Sequence, residues 1–327
     1  MNIAILDDYQ DDLRHLPSFG KLAGHSVKIW NDHTKDVDVL AERLKDTEAL
    51  VLIRERTPIP AALIERLGKL RIVTMHGAAP NVDVDACTRR GVIFSSKSRD
   101  GEPSYATAEL TWGLIIAAMR RIPQQCVSLK AGKWQSGLGT SLRGRTLGIF
   151  GYGKIGGVVA GYGKAFGMKV LVWAREASLQ RARADGYATA RSKQAFFEEC
   201  DVIALFMRLV DATRGIVTAA DLERMKPAAL FVNTSRAGLV ERGALEAALR
   251  KGRPGLAALD VFDEEPLTDT RHPLLIMDNV VATPHIGYVE RDGYEAVFDE
   301  IFDNLVAYAN GKPINVQNPA ALAKAGA

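Results

Sequence analysis

Three polar side chains, each just after an apolar run, stand out in the second half of the 327-residue chain. Phe231-Val-Asn-Thr-Ser-Arg236 delivers a guanidinium, Leu259-Asp-Val-Phe-Asp-Glu-Glu265-Pro266 a carboxylate, and Val281-Ala-Thr-Pro-His285-Ile-Gly287 an imidazole. An apolar run of this length reads as a buried strand, and open α/β sheets bind ligands beyond the carboxyl ends of their strands. An arginine fork can hold a planar carboxylate through two charge-assisted hydrogen bonds, which lysine cannot imitate. An imidazole can give or take the proton on a substrate oxygen near neutral pH. A carboxylate beside it would favour its protonated form and fix its tautomer. Singly, each residue suits a structural role; together they read as one Arg/Glu/His constellation that can hold a carboxylate and move a proton on a substrate oxygen.

A second motif lies upstream. Thr146-Leu-Gly-Ile-Phe150 is an apolar strand pattern, followed at once by Gly151-Tyr-Gly153-Lys154-Ile155-Gly156 and an amphipathic stretch to about Phe166. GxGxxG between a strand and a helix is a dinucleotide-binding pattern. The first glycine permits the tight turn, the second lets the backbone approach a pyrophosphate, and the third allows close helix packing. The next strand ends Val172-Trp173-Ala174-Arg175, with no acid between Gly151 and Arg175 to accept from an adenosine ribose hydroxyl. Ala174 cannot accept, and Arg175 can pair with a 2′-phosphate, so the pattern leans towards NADP(H) or dual use of NAD and NADP. The alternatives are that Arg175 stacks over the adenine or that Glu176 reaches the ribose.

These groups need a scaffold. Asn2–Leu6, Val27–Trp30, Ala49–Ile53, Ile72–Thr74 and Val92–Phe94 read as buried strands, with helical patterns such as Val39–Lys45 and Pro60–Leu67 between them. Strands separated by helices predict parallel pairing, because a parallel pair needs a crossover. The polar stretch Ser95–Pro103 follows, then a long apolar helix pattern, Tyr105–Arg121. Thr146–Phe150, Val170–Trp173, Val202–Phe206, Leu230–Asn233, Leu256–Asp260 and Val280–Ala282 make a second strand series, closed by an amphipathic helix over about Arg291–Asn310. Few contacts should cross residues 98–104, and the second crossing falls near 285–290. The expected fold is α/β, with two doubly wound parallel-sheet domains. A Rossmann cofactor domain (102–287) is inserted into a flavodoxin-like substrate domain (1–101 and 288–327), with the active site between them.

Composition excludes other classes. With 42 Lys+Arg against 39 Asp+Glu, the net charge of +3 is too small for a nucleic-acid or membrane-surface footprint. At 47% hydrophobic and 25% charged residues, disorder is out of contention. Leu110–Met119, the longest membrane candidate, is about half of what a bilayer crossing needs. The acidic amino terminus reads as a first strand rather than an export signal. Cys87, Cys126 and Cys200 form no CxxC pair and suit a reducing cytoplasm, and the six histidines form no metal-ligand cluster, so no metal is expected.

In these residues the chain resembles the D-isomer-specific 2-hydroxyacid dehydrogenase family. The resemblance spans nearly the whole chain and rests on Gly151–Gly156, Met225–Arg236, Ala258–Pro266 and Thr283–Gly287, with Glu265 29 positions after Arg236 and His285 20 further on. It implies that Arg236 orients the substrate carboxylate and 2-oxo group, that His285 is the general acid/base, and that Glu265 tunes it. It also implies that Asp260 lies near the nicotinamide end of the cofactor and that Thr234 lines its site. In the first domain it points to Arg54-Glu-Arg56-Thr57 as the loop facing the substrate, and to backbone amides around Gly77–Ala79 as a cradle for its carboxylate. The chain departs from the family where Ala237 precedes Gly238 and where Pro80 follows His76-Gly-Ala-Ala, both at the pocket. Chains of this kind are often phosphoglycerate dehydrogenase-like; with 327 residues, this one is expected to carry no added C-terminal regulatory domain. Arg54 and Arg56 suit a phosphate or a second carboxylate equally, so the small 2-hydroxy or 2-oxo acid stays open. The family implies a cytoplasmic homodimer through the cofactor domain, with Tyr105–Arg121 and the Trp134 loop as the contact. Two other readings are a dinucleotide-sensing corepressor or scaffold of the same fold, and a methyltransferase using S-adenosylmethionine. The complete Arg/Glu/His set disfavours both.

Overall fold

The computed structural model describes residues 1–97 and 105–325, so the crossing expected at 98–104 lies outside the described residues. The chain divides into two compact units, Met1–Gly101 with Arg291–Ala327, and Glu102–Glu290. The second boundary thus falls three residues beyond the expected 288, at the start of the helix Arg291–Ala309.

In the first unit, β1 (Asn2–Ile5), β2 (Ser26–Ile29), β3 (Ala49–Val51), β4 (Ile72–His76) and β5 (Ile93–Lys97) form one sheet in the order β2-β1-β3-β4-β5. All four pairings are parallel, with Ile3 opposite Val27 and Ala49, and Ile72 opposite Ile93. This is the flavodoxin-like order. Leu6, Leu50, Leu52, Val73, Met75 and Phe94 enter one core with helix residues Leu40, Leu44, Leu63 and Cys87. Helix Arg291–Ala309 buries Tyr294, Phe298, Ile301, Phe302 and Leu305, a spacing of three and four that places them along one face. Its Phe302 ring meets Phe19 edge-on at 6.1 Å between centroids. Beyond it, Val316 bridges antiparallel to Ser95, and the buried Asn318 side chain accepts from Phe94 N at 2.8 Å.

The second unit holds β6 (Thr146–Phe150), β7 (Lys169–Trp173), β8 (Ala188–Thr189), β9 (Val202–Leu205), β10 (Leu230–Asn233), β11 (Leu256–Leu259) and β12 (Val280–Ala282). They order as β12-β11-β10-β9-β6-β7-β8, all parallel, the Rossmann arrangement with one further edge strand. The chain turns from one half of the sheet to the other between β6 and β9. Along β9, Val202 and Ala204 join one core while Ile203 and Leu205 join another. Both faces are therefore covered, which is why these strands read as unbroken apolar runs and not as alternation.

Helix Tyr105–Met119 buries Ala108, Thr111, Trp112, Leu114, Ile115, Ala118 and Met119 within this unit. It is spent on its own core, so it offers little of the contact surface expected of it. The exposed apolar side chains lie just after it, in a helix the sequence reading missed, Ile122–Lys130, and the loop that follows. Val127 and Leu129 are exposed there, with Trp134 at 77% and Leu138 at 94% of full exposure.

Candidate active site

Arg236, Glu265 and His285 all belong to the second unit, after β10, β11 and β12 respectively. Parallel neighbours in register end side by side, so residues 29 and 20 positions apart in sequence are brought to one edge of the sheet. His285 Nδ1 lies 2.6 Å from Glu265 Oε2, and Phe262 N donates to the other carboxylate oxygen at 2.9 Å. Burial pushes the Glu265 carboxyl up. The His285 hydrogen bond and charge, the Phe262 N–H and the Arg236 charge outweigh it and hold Glu265 below the ordinary glutamate value. A charged Glu265 accepts the Nδ1 proton, leaving Nε2 as the nitrogen able to exchange a proton with a ligand.

His285 sits at φ 53°, a left-handed conformation that a side chain with a Cβ seldom adopts. Asp260 accounts for how it is held. This carboxylate, with no solvent exposure, accepts from Thr283 Oγ1 at 2.6 Å, Ile286 N at 2.8 Å and Gly287 N at 2.8 Å. Those three donors bracket His285 in sequence, so Asp260 shapes the turn that presents the imidazole. Burial raises the Asp260 carboxyl against the opposing pull of these bonds. Thr107 Oγ1 closes the turn from the other side, donating to Gly287 O at 2.8 Å. Tyr288 meets the imidazole edge-on at 5.8 Å. Thr283, Thr107 and Tyr288 were missed by sequence reasoning; only the short run Thr283–Gly287 hinted at a built turn.

Arg236 follows a compact turn. Asn233 Nδ2 donates to Arg236 O at 2.9 Å, Ser235 N donates to Asn233 Oδ1 at 3.0 Å, and Ser235 Oγ donates to Leu205 O at 2.7 Å. Thr234, expected to line the cofactor site, is buried with its hydroxyl 2.7 Å from that of Thr111.

The glycine turn joins β6 to helix Lys154–Ala165. A methyl group on Gly151, at φ 98°, would meet Phe206 O at 2.6 Å, and one on Gly156 would collide with Gly151 O. Neither position admits a side chain. Around Gly153, by contrast, a methyl would meet nothing within 4 Å, so open space lies before the helix amides. No side chain caps that helix start. Free amides at the positive end of the helix dipole, facing open space, fit a pyrophosphate. Gly151, Gly153, Lys154, Ile155 and Gly156 would hold it, with Ala174 and Arg175 at the end of β7. Tyr152 is anchored beneath the turn, donating to Asp185 Oδ2 at 2.6 Å.

The remaining candidates lie in the first unit. Arg54 adopts φ 59° and pairs with Glu55 at 3.8 Å. Arg56 donates to Asp7 O at 3.1 Å and lies over the Tyr9 ring at 4.4 Å. Gly77, at φ 85°, donates its N–H to Lys97 O at 2.9 Å. That amide is spent within the fold, so of the expected cradle Ala78 and Ala79 are left to supply donors.

Residues 112–287 match the family model for the NAD-binding domain of D-isomer specific 2-hydroxyacid dehydrogenases. The chain is 36% identical over 307 residues to the glyoxylate reductase of Aeropyrum pernix, covering 90% of each protein. The crystal structure of a provisionally named D-3-phosphoglycerate dehydrogenase oxidoreductase from Ralstonia solanacearum superposes with a TM-score of 0.92 at 52% identity, over 98% of both chains. A phosphoglycerate oxidoreductase from Vibrio cholerae superposes with a TM-score of 0.90 at 48% identity, over 95% of this chain and 99% of that one. The chain belongs to the D-isomer specific 2-hydroxyacid dehydrogenase family and carries its nicotinamide-cofactor domain.

Proposed function

We propose that the protein interconverts a D-2-hydroxy acid and its 2-oxo acid, with His285 as the acid/base, Glu265 as its partner and Arg236 as the carboxylate clamp. The observation that carries this reading is the 2.6 Å contact between His285 Nδ1 and Glu265 Oε2, with the Arg236 charge acting on the same carboxylate. A nicotinamide cofactor, held by Gly151, Gly153 and Gly156 of the glycine turn, would supply or accept the hydride. In the reducing direction His285 Nε2 gives its proton to the C2 oxygen, and in the oxidising direction it takes that proton back. Glu265, charged throughout the neutral range, stabilises the imidazolium. Arg236 holds the carboxylate and polarises the carbonyl. In the first unit Arg54, Arg56, Gly77 and Ala78 are the candidates to recognise the acid, with the Ala78 amide the better donor. The two arginines suit a distal phosphate or carboxylate.

The cofactor preference follows the end of β7. Ala174 has no side-chain acceptor, Arg175 is exposed, and Glu176, the nearest acid, is engaged by Arg183 at 3.0 Å. This supports NADP(H). The exposed Val127, Leu129, Trp134 and Leu138 support a homodimer through the cofactor unit. No described helix is long and apolar enough to cross a membrane, and the three cysteines are free; both agree with a cytoplasmic enzyme.

Steady-state kinetics with 2-oxo acids test the assignments. His285→Ala should lower kcat by about 10²–10⁴-fold, the usual cost of losing a general acid. Arg236→Lys should chiefly raise KM, because the two-pronged clamp is lost. Unchanged kcat in the first variant and unchanged KM in the second would refute the respective roles.

A further inference from the structure

We infer that Arg208, to which no role has been given, contacts the cofactor pyrophosphate from the β9 side of the glycine turn, while Arg175 on the β7 side serves only the 2′-phosphate. This deepens the cofactor reading and rests on it. Strand β6 lies between β7 and β9, so the segments leaving those two strands flank the glycine turn on either side. On one side stands Arg175, two residues past β7; on the other stands Arg208, three past β9. In a parallel α/β sheet a dinucleotide binds at the reversal of strand order, here the β6/β9 boundary, and its adenosine ribose would lie towards β7 on the far side. Arg208 therefore emerges on the side where the pyrophosphate crosses, and Arg175 on the side of the ribose.

The segment carrying Arg208 is packed directly on the turn. A methyl on Gly151 would lie 2.6 Å from Phe206 O and 2.8 Å from Met207 Cγ, and one on Gly156 would lie 3.4 Å from the Phe206 ring. Phe206 thus touches both glycines whose closeness makes the turn, and Arg208 is two residues on. Its backbone is pinned: Thr213 Oγ1 donates to Arg208 O at 2.7 Å and accepts from Val210 N at 2.9 Å. Its side chain is exposed, and among the described residues neither Arg208 nor Arg175 pairs with a carboxylate. The first acid after Arg208 is Asp211, and the β9 segment places no other charge before it. An unengaged guanidinium beside a turn shaped for a diphosphate has a bidentate anion as its natural partner.

The test is titration of the intact protein with NADH and with NADPH, read by nucleotide fluorescence in the absence of substrate. Arg208→Ala should weaken both nucleotides by a similar factor, about 5–30-fold for one charge-assisted contact at a partly solvated site. Arg175→Ala should weaken NADPH alone. Arg208→Lys should recover part of the loss, because a point charge still meets a phosphate but without the fork. Unchanged affinity for both nucleotides in Arg208→Ala, or a loss confined to NADPH, would overturn the inference. Failure of the unsubstituted protein to bind either nucleotide would instead overturn the cofactor reading on which it rests.

Discussion

In the proposed reaction His285 is useful because one of its ring nitrogens is occupied. Glu265 takes Nδ1 at 2.6 Å, which fixes the tautomer and leaves Nε2 for chemistry. The same pair has a consequence for stability. Glu265 titrates below its ordinary value, so its contribution is fully present above that value and is lost as pH falls through the lower folded one. Glu265→Gln removes the contribution. The stability gap between the two proteins, from urea unfolding at stepped pH, should be present at neutral pH and should close as pH drops below the ordinary glutamate range. A gap that widened as pH fell below that range would show that the carboxylate is not held as described. Arg, Glu and His were legible in the sequence because each stands beyond an apolar run. Their contact was not, since it depends on three parallel strands ending together.

At the level of elements, the turn after β12 is held from β11. Asp260 donates nothing and accepts three hydrogen bonds, from Thr283, Ile286 and Gly287, on either side of the left-handed His285. Asp260→Asn places an amide where one of those N–H or O–H groups must be met, leaving a buried donor unpaired. The expected cost is about 1–3 kcal/mol of stability, with a fall in kcat as the imidazole loses its setting, and with NADH binding still measurable. Thermal unfolding and kcat together check this; an unchanged melting temperature would contradict it. The sequence placed Asp260 by resemblance, near the nicotinamide, but could not show its bonds to residues 23 to 27 positions later. Those bonds exist only because Leu259 stands opposite Ala282 in the sheet. Smaller elements escaped for a related reason. Ala188–Thr189 is a two-residue strand, too short to show a period, and Ile122–Lys130 opens on Ile-Pro-Gln-Gln, a weak apolar pattern.

The whole molecule was the most legible level, because apolar runs covered on both sheet faces stand out in a sequence, as β9 and β10 do. The interruption of one unit by another was legible from the order of motifs and the closing helix Arg291–Ala309. The surface was less so: the pattern of Tyr105–Arg121 could not distinguish a helix buried in its own unit from one buried by a partner. The apolar side chains left outside, Val127, Leu129, Trp134 and Leu138, are where the proposed homodimer would meet. Val127→Asp with Trp134→Asp should shift the protein towards monomer in sedimentation velocity; an undisturbed dimer would place the interface elsewhere. Reduction of 2-oxo acids through His285 is the proposed activity of this family member. Its most direct test is oxidation of NADH and NADPH with glyoxylate, hydroxypyruvate and phenylpyruvate, for the unsubstituted protein and His285→Ala. Turnover should depend on the 2-oxo acid, yield the D-hydroxy acid from hydroxypyruvate and phenylpyruvate, and fall by about 10²–10⁴-fold in the variant. Tight nucleotide binding without turnover on any acid, or equal turnover in the variant, would contradict it.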